Sequence, residues 1–376
     1  MIAYDVLGEL WRTARRVLIL IGTTAVLLAV AAVGSAEAAQ AGRRPSTEGH
    51  VPELAAYLDR AQIAEPVSYR HLAVYPVLLS DDVELPGKWL TLDAAISRGV
   101  LVVTEKVGGG SVPVVVVENR SRAEHVFLMA GEILSGGKQG RTVRRDVVLA
   151  PGQRIEIDVF CVEARRWEGA EEFSGAGALV PQSIQQELRR GAGQEQLWSE
   201  IARNNRALDA ENATGSLELA MKAGPVQEEL SQVRRSIVPR IPEGTVGFLF
   251  LDRGRALGAE FFGSDALAQS LLPKLLDSYA VDCVVLDKSG LLPPERDGHG
   301  AAVDFFHRIC RAGSRRTGTP GSGAGIQTRA DGLMGDGVSL GGTVVHYGAQ
   351  VQDRIIPLPL PRLESSSEPG PTPSQQ

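Results

Sequence analysis

From about Ser68 to Trp167 the apolar residues come in short runs broken by turn signals. Val100 to Val107 alternates loosely and stops at Gly108-Gly109-Gly110. Val112 to Val117 is almost unbroken valine, which predicts a strand buried on both faces. His125 to Ala130 reads as a further strand, and Val147 to Ala150 runs into the Pro151-Gly152 turn. In the next segment Ile155, Ile157 and Val159 alternate with Glu156, Asp158 and Phe160, the pattern of a half-exposed antiparallel strand. Thr91 opens one short helix that stops at Gly99.

The period then changes. Leu197, Ile201 and Leu208 fit one helical face. Val226, Leu230, Val233 and Ile237 fit another, behind Pro225 in a first helical turn where its missing N–H costs nothing. Beyond Thr245 the texture is mixed. Val246 to Leu251 and Ala256 to Phe261 flank the hairpin turn Asp252-Arg253-Gly254-Arg255. Leu267, Leu271, Leu275 and Tyr279 form a helical stripe after the Ser264 cap, and Ile326 to Arg329, Val338 to Leu340 and Thr343 to Tyr347 read as strands. Residues 312–325, rich in Gly, Ser and Thr, read as a mobile loop. Strands are not each followed by a helix, so the expected class is α+β: a β-sandwich-like N-terminal half, a helical insertion and a mixed C-terminal half. The expected domain runs over 67–352, β-rich in 67–170, helical in 180–240 and mixed in 244–352.

The ends read differently. Arg12, Arg15 and Arg16 precede an apolar run from Val17 to Val33, followed by Ala36-Glu37-Ala38, the order of a secretory signal peptide. Residues 1–38 are therefore a signal peptide cleaved after Ala38 or a retained N-terminal anchor, and either places the remainder outside the cytoplasm, periplasmic or extracellular. Residues 39–66 read as a linker into the domain, and 363–376 as a disordered tail.

Composition narrows the function. A net charge of −6 supplies no general attraction for nucleic acid, and 5% aromatic residues do not furnish a stacking platform. The six histidines have no zinc spacing, and no G-x-S-x-G elbow occurs. Cys161, Cys283 and Cys310 read as buried free thiols, with a Cys283–Cys310 bridge the alternative. Membrane contact is expected only through residues 17–33 if that segment is uncleaved, and the sequence names no cofactor.

One string can carry chemistry: Gly131-Glu132-Ile133-Leu134-Ser135-Gly136-Gly137-Lys138-Gln139-Gly140-Arg141. Gly136 and Gly137 would let backbone N–H groups face a ligand, Lys138 and Arg141 add positive charge, and Gln139 could orient a substrate or water. Glu132 could act as a general base, and Glu163, if its strand is a neighbour, could share acid and base roles with it. Arg166 and Trp167 follow Glu163 and would complete such a site. Trp167 could instead anchor a core edge, and Glu163–Arg166 could be a structural ion pair. The whole string could equally be a β-turn in which Glu132 pairs internally with Lys138 or Arg141. It is not a P-loop: the lysine falls one position late and Gln139 stands at the Ser/Thr position. Arg144-Arg145 and Arg234-Arg235 read as solvated or paired surface charge.

This string, with Cys161-Val162-Glu163-Ala164-Arg165-Arg166-Trp167, Phe261-Phe262-Gly263 and Leu276-Asp277-Ser278-Tyr279-Ala280, resembles an uncharacterised prokaryotic family. The family is named for its association with ADP-ribosylglycohydrolases and the rhodanese-phosphatase superfamily, and the resemblance extends from about Val67 to Val351. It implies nucleotide or ADP-ribose chemistry only by analogy. Two functions follow as expectations: an exported domain that binds, and could modify, a small anionic ligand at the Gly131–Arg141 string, or a non-catalytic envelope interaction domain in which the string is a structural turn.

Overall fold

The computed structural model describes residues 45–81, 85–106, 113–290, 297–330 and 332–356. The expected export segment and tail lie outside these residues. The chain divides into two units at Ser46, and the description concerns the second, from Thr47.

The elements begin with helix α1 (Pro52–Arg60) and strands β1 (Ala61–Ile63), β2 (Val67–Tyr69), β3 (Leu72–Leu79) and β4 (Lys88–Thr91). Helix α2 (Leu92–Ser97) leads to β5 (Leu101–Glu105), β6 (Val114–Asn119), β7 (Glu124–Leu128) and β8 (Glu132–Gly136). Then come β9 (Arg141–Val143), β10 (Val147–Leu149), β11 (Arg154–Cys161) and β12 (Phe173–Leu179). The helical insertion comprises α3 (Gln182–Arg190), α4 (Gln194–Ala207), α5 (Leu217–Met221) and α6 (Gly224–Ile237). The hairpin β13 (Gly247–Asp252) and β14 (Arg255–Phe262) precedes the long helix α7 (Asp265–Ser289) and α8 (Gly298–Ala312). The strands β15 (Arg315–Thr317), β16 (Ala324–Ala330), β17 (Leu333–Leu340) and β18 (Thr343–Val351) close the series.

Nine strands form one sheet, ordered β1-β3-β13-β14-β18-β17-β16-β15 with β2 also paired to β3. Every residue of β13 is buried because the sheet is covered on both faces. Phe248 and Phe250 pack toward the α3–α7 side, while Leu249 and Leu251 pack toward α1 and α8. The β13–β14 turn places Arg253 and Gly254 at positive φ, as a tight two-residue hairpin loop requires. Helix α1 lies inside the stretch read as a linker. Leu54, Tyr57 and Leu58 recur at helical spacing and are buried, and Tyr57 donates to the carbonyls of Val246 and Phe262, so this segment belongs to the folded unit.

The β-rich half is a six-stranded sheet, β12-β8-β9-β11-β6-β5, beside a three-stranded sheet, β10-β7-β4. Its outer strands meet: Thr104 bridges to Glu172, and Glu105 N–H donates to the Glu171 carbonyl at 3.0 Å. The sheet therefore curls around its own core of Leu101, Val103, Val115, Val117, Leu134, Ile157, Val159 and Phe173. The valine run is not buried on both faces. In β6 only alternate residues, Val115, Val117 and Asn119, are buried, because a curled sheet has one inner face and β-branched residues suit either face of a strand. The segment read as a loop over 312–325 contains β15, an edge strand of the large sheet.

Helix α7 is the shared core element. Ser264 caps it by accepting from Leu267 N–H at 3.3 Å, Gly290 ends it with φ 67°, and Leu271, Leu275, Leu276, Tyr279 and Val281 are all fully buried. The stripe Leu267–Tyr279 is as the sequence pattern predicts, but apolar residues extend around nearly the whole helix. At this depth its charged residues need partners.

Gly137 shows what the glycine-rich turn after β8 is for. Its φ is +56°, and a Cβ there would stand 2.2 Å from the Phe173 ring. We expect Gly137→Ala to lower stability by about 2 kcal/mol or more, from overpacking and left-handed strain together. Gly177→Ala, at φ +68° with open space around it, should lose only the conformational part, about 1 kcal/mol. Equal shifts in the urea midpoints of the two variants would refute the packing role.

Candidate functional site

The Gly131–Arg141 string divides between two separate networks. Glu132 opens β8 and is 1% exposed. One carboxylate oxygen accepts Met129 N–H at 2.8 Å, and the other meets the Lys274 ammonium from α7. Lys274 also donates to Asp93 of α2 at 2.8 Å. Burial pushes the Glu132 carboxyl up and the ammonium opposes that rise. Lys274 is itself raised despite burial, because two carboxylates face it, so the cation is kept charged. The internal pairing expected for Glu132 with Lys138 or Arg141 is replaced by one with a helix 142 residues further along the chain.

The far end of the string is tied to itself. Glu163 accepts from Gly140 N–H at 3.0 Å and from Arg166 at 3.0 and 2.8 Å. Burial works against its ionisation, but the hydrogen bonds from Arg166 and Gly140 prevail and hold the carboxyl below its ordinary range. Arg166 also donates to the carbonyls of Gly136, Gly137 and Glu168, so its guanidinium clamps the turn. Arg141, 1% exposed, contacts Gln139 and Cys161 through Nη1 and stands 3.5 Å from Glu105. Gln139 is fully buried, with its Nε2 left without a partner among the described residues. The Lys138 side chain is exposed while its N–H donates to Glu105. Trp167 is 56% exposed and anchors no core edge. Glu132 and Glu163 have no partner in common.

Lys274 leads to a cavity of about 270 Å³ lined by Ala176–Ala178 of β12, Glu218 of α5 with Lys222 just after it, Gln227 and Arg234 of α6, and Lys274 and Asp277 of α7. Arg234, expected as solvated or paired surface charge, is paired there and binds both Asp277 oxygens. Burial pushes the Asp277 carboxyl up to about 6 against the opposing pull of Arg234. The string thus supports a cavity whose lining it does not itself contribute. Sequence reasoning missed Lys274 and Asp93, met Asp277 only within the Leu276–Ala280 motif and took Arg234 as solvated or paired surface charge. The available signal was a lysine within Leu271-Leu272-Pro273-Lys274-Leu275-Leu276, a helix apolar on nearly every side.

A second polar network reaches α7 from the other side. His346 of β18 is buried between Asp146 (Nδ1, 2.6 Å) and Glu260 (Nε2, 3.0 Å). Glu260 in turn accepts from Tyr279 at 3.0 Å. Gly348 is required beside them: a Cβ would stand 2.3 Å from Glu260 Oε2. Burial alone would lower His346, yet the two carboxylates raise it to about 9. Cys161, Cys283 and Cys310 form no disulfide among the described residues. Among the described residues no group of side chains has the make-up of a metal site, and no helix is long and apolar enough to cross a membrane.

Fold and site together define an α+β domain with a curled β-sheet, a two-faced antiparallel sheet and ion-paired polar networks that converge on one central helix. The chain belongs to the ARG and Rhodanese-Phosphatase-superfamily-associated Protein domain family (ARPP-1), whose family model matches residues 60–349. No curated protein and no solved structure matches the chain.

The His346 network gives a pH signature. A histidine raised from 6.5 to about 9 binds its proton more tightly when folded. Its contribution is therefore complete below about pH 6.5 and disappears as pH rises through 9. Urea unfolding at pH 6.5 and pH 10 should differ by on the order of 3 kcal/mol from this group, and His346→Gln should remove most of that difference. An equal pH dependence in the variant would show that the imidazole is not charged in the fold.

Proposed function

We propose that the chain is an extracytoplasmic binding domain that takes a small anionic ligand into the cavity above Lys274. The carrying observation is the ammonium itself. It lines an open space of about 270 Å³, is kept charged by Glu132 and Asp93, and uses on them two of its three N–H donors. Arg234 adds a second donor group, since its Nε and Nη2 have no partner among the described residues. Glu132 and Asp93 together outweigh the lysine's single charge, so recognition rests on directed donors and not on a long-range field.

A volume of about 270 Å³ suits a phosphate-bearing sugar unit better than a whole dinucleotide. The family's association with ADP-ribosylglycohydrolases supports a ribose phosphate or an ADP-ribose terminus by analogy. The Gly131–Arg141 string serves this site from behind, through Glu132, while Gly136, Gly137, Gln139, Arg141 and Glu163 with Arg166 keep the turn in shape. The Arg-flanked apolar run and Ala36-Glu37-Ala38 support export. A hydrolytic role is a second reading, favoured by one observation: Asp277, standing near 6, is suited to exchange a proton with a bound ligand around neutral pH. An envelope interaction domain shares the structural reading of the string and differs in leaving the cavity unused.

Thermal-shift measurements on the full chain with ribose 5-phosphate, ADP-ribose and inorganic phosphate separate these readings. At a hundred times its dissociation constant, a ligand should add about 2.7 kcal/mol, and the shift should vanish in Lys274→Met. Lys274→Met alone strands a buried carboxylate at a cost of about 3–5 kcal/mol, so the Glu132→Gln/Lys274→Met double variant provides the folded comparison. Absence of any shift in the wild type, or a shift retained in the double variant, removes the binding reading and leaves the interaction domain.

A further inference from the structure

A cleft separate from the Lys274 cavity lies where the curled sheet meets the edge of the large sheet. The segment joining β15 to β16 crosses it as a strap. Ser322 N–H donates to the Val148 carbonyl at 2.8 Å, Ser322 Oγ donates to Gln153 at 3.0 Å, and Thr319 Oγ1 reaches the Asp146 carbonyl at 3.5 Å. Under the strap are two spaces that share Arg145 and residues 317–320. One, of about 340 Å³, is walled by Arg144, Val147, Glu156, Ile157 and Asp158. The other, of about 210 Å³, is walled by Asp146, Ile326, Gln327 and Asp336.

Among the described residues every charged side chain that lines this cleft has an ion partner except Arg145. Asp158 pairs with Arg144, Glu156 with Lys106, Asp146 with His346, and Asp336 with Arg329 and Arg189. Arg145 is exposed, lines both spaces, and among the described residues has no ion partner. Asp146 shares His346 with Glu260, Asp336 meets two arginines, and Arg145 remains as a guanidinium with no ion partner among the described residues. A guanidinium presents paired N–H donors that match the two oxygens of a carboxylate or phosphate. Around it stand the hydroxyls of Thr317 and Thr319, the Gln327 amide and the apolar faces of Pro320, Val147 and Ile157. Hydroxyls and an amide beside small apolar faces suit a sugar ring.

We propose that this strapped cleft is a second binding site, for a sugar carrying one oxyanion group, which Arg145 grips while the ring lies under the strap. The site is independent of the Lys274 cavity. The shared chemistry admits a sugar acid or a sugar phosphate.

Calorimetry on the full chain with glucuronate and with glucose 6-phosphate tests it. At least one of the two should bind, and which one binds identifies the oxyanion. Arg145→Met should weaken that binding at least tenfold with an unchanged melting temperature, because the side chain is exposed. Asp158→Asn, which frees Arg144, should tighten it several-fold; a merely structural arginine would not produce that response. The Glu132→Gln/Lys274→Met variant should keep the Arg145-dependent binding, whether or not the first cavity also takes the sugar. Failure of both sugars to bind, undiminished binding in Arg145→Met, or loss confined to the Glu132→Gln/Lys274→Met variant overturns the proposal.

Discussion

The buried ion pair between Glu132 and Lys274 is the contact on which the arrangement turns. It joins the first residue of a strand in the curled sheet to the middle of the longest described helix, 142 residues away. Placing both charges in the interior carries a desolvation cost that Coulomb attraction alone offsets poorly. The structure meets that cost with further hydrogen bonds. Met129 N–H supports the carboxylate, and Asp93 supports the ammonium. Such a pair adds little to net stability, but removing one partner leaves an uncompensated charge. The pair therefore fixes the register between β8 and α7 more than it strengthens the fold.

Two more polar ties leave the same helix. Tyr279 reaches Glu260 and, through it, His346 and Asp146. Asp282 accepts from the Ser183 N–H and hydroxyl at the start of α3, with its carboxyl pushed up by burial to about 7. Helix α3 is itself polar yet buried. Gln185 donates to the Ala130 carbonyl beside Glu132, and Gln186 donates to the carbonyls of Val351 and Asp353. The layers are thus joined by oriented hydrogen bonds as well as by apolar area, and the Lys274 cavity opens where one such tie reaches the surface of the core.

The fold class was legible because it depends on local pattern. Alternation in Ile155–Val159, the stripe Leu267–Tyr279 and the Asp252–Arg255 turn each encode their element within a few residues. What the pattern could not supply was closure. Val112 to Val117 reads the same whether a strand is covered on both faces or forms the wall of a curled sheet. The site was legible to a lesser degree. Glu132 was singled out by its string, but its partner is distant in sequence, and Lys274 sits among leucines that mark it only as a charge in an apolar helix. Asp277 stood only within the Leu276–Ala280 motif, and Arg234 read as solvated or paired surface charge, because pairing across two helices leaves no trace in spacing. Glu163 and Arg166, three residues apart, form the one pair that the sequence anticipated directly, as a structural contact.

The state of the Lys274 ammonium is the most direct test of this account. In protein labelled with ¹⁵N at lysine Nζ, a buried, triply protonated amine bonded to two carboxylates should give a resonance protected from water exchange. That signal should stay in the ammonium range well above neutral pH and should disappear in Glu132→Gln/Lys274→Met. An Nζ signal in the neutral-amine range at pH 7, or one exchanging as fast as those of surface lysines, would contradict the charged pair and the cavity chemistry built on it.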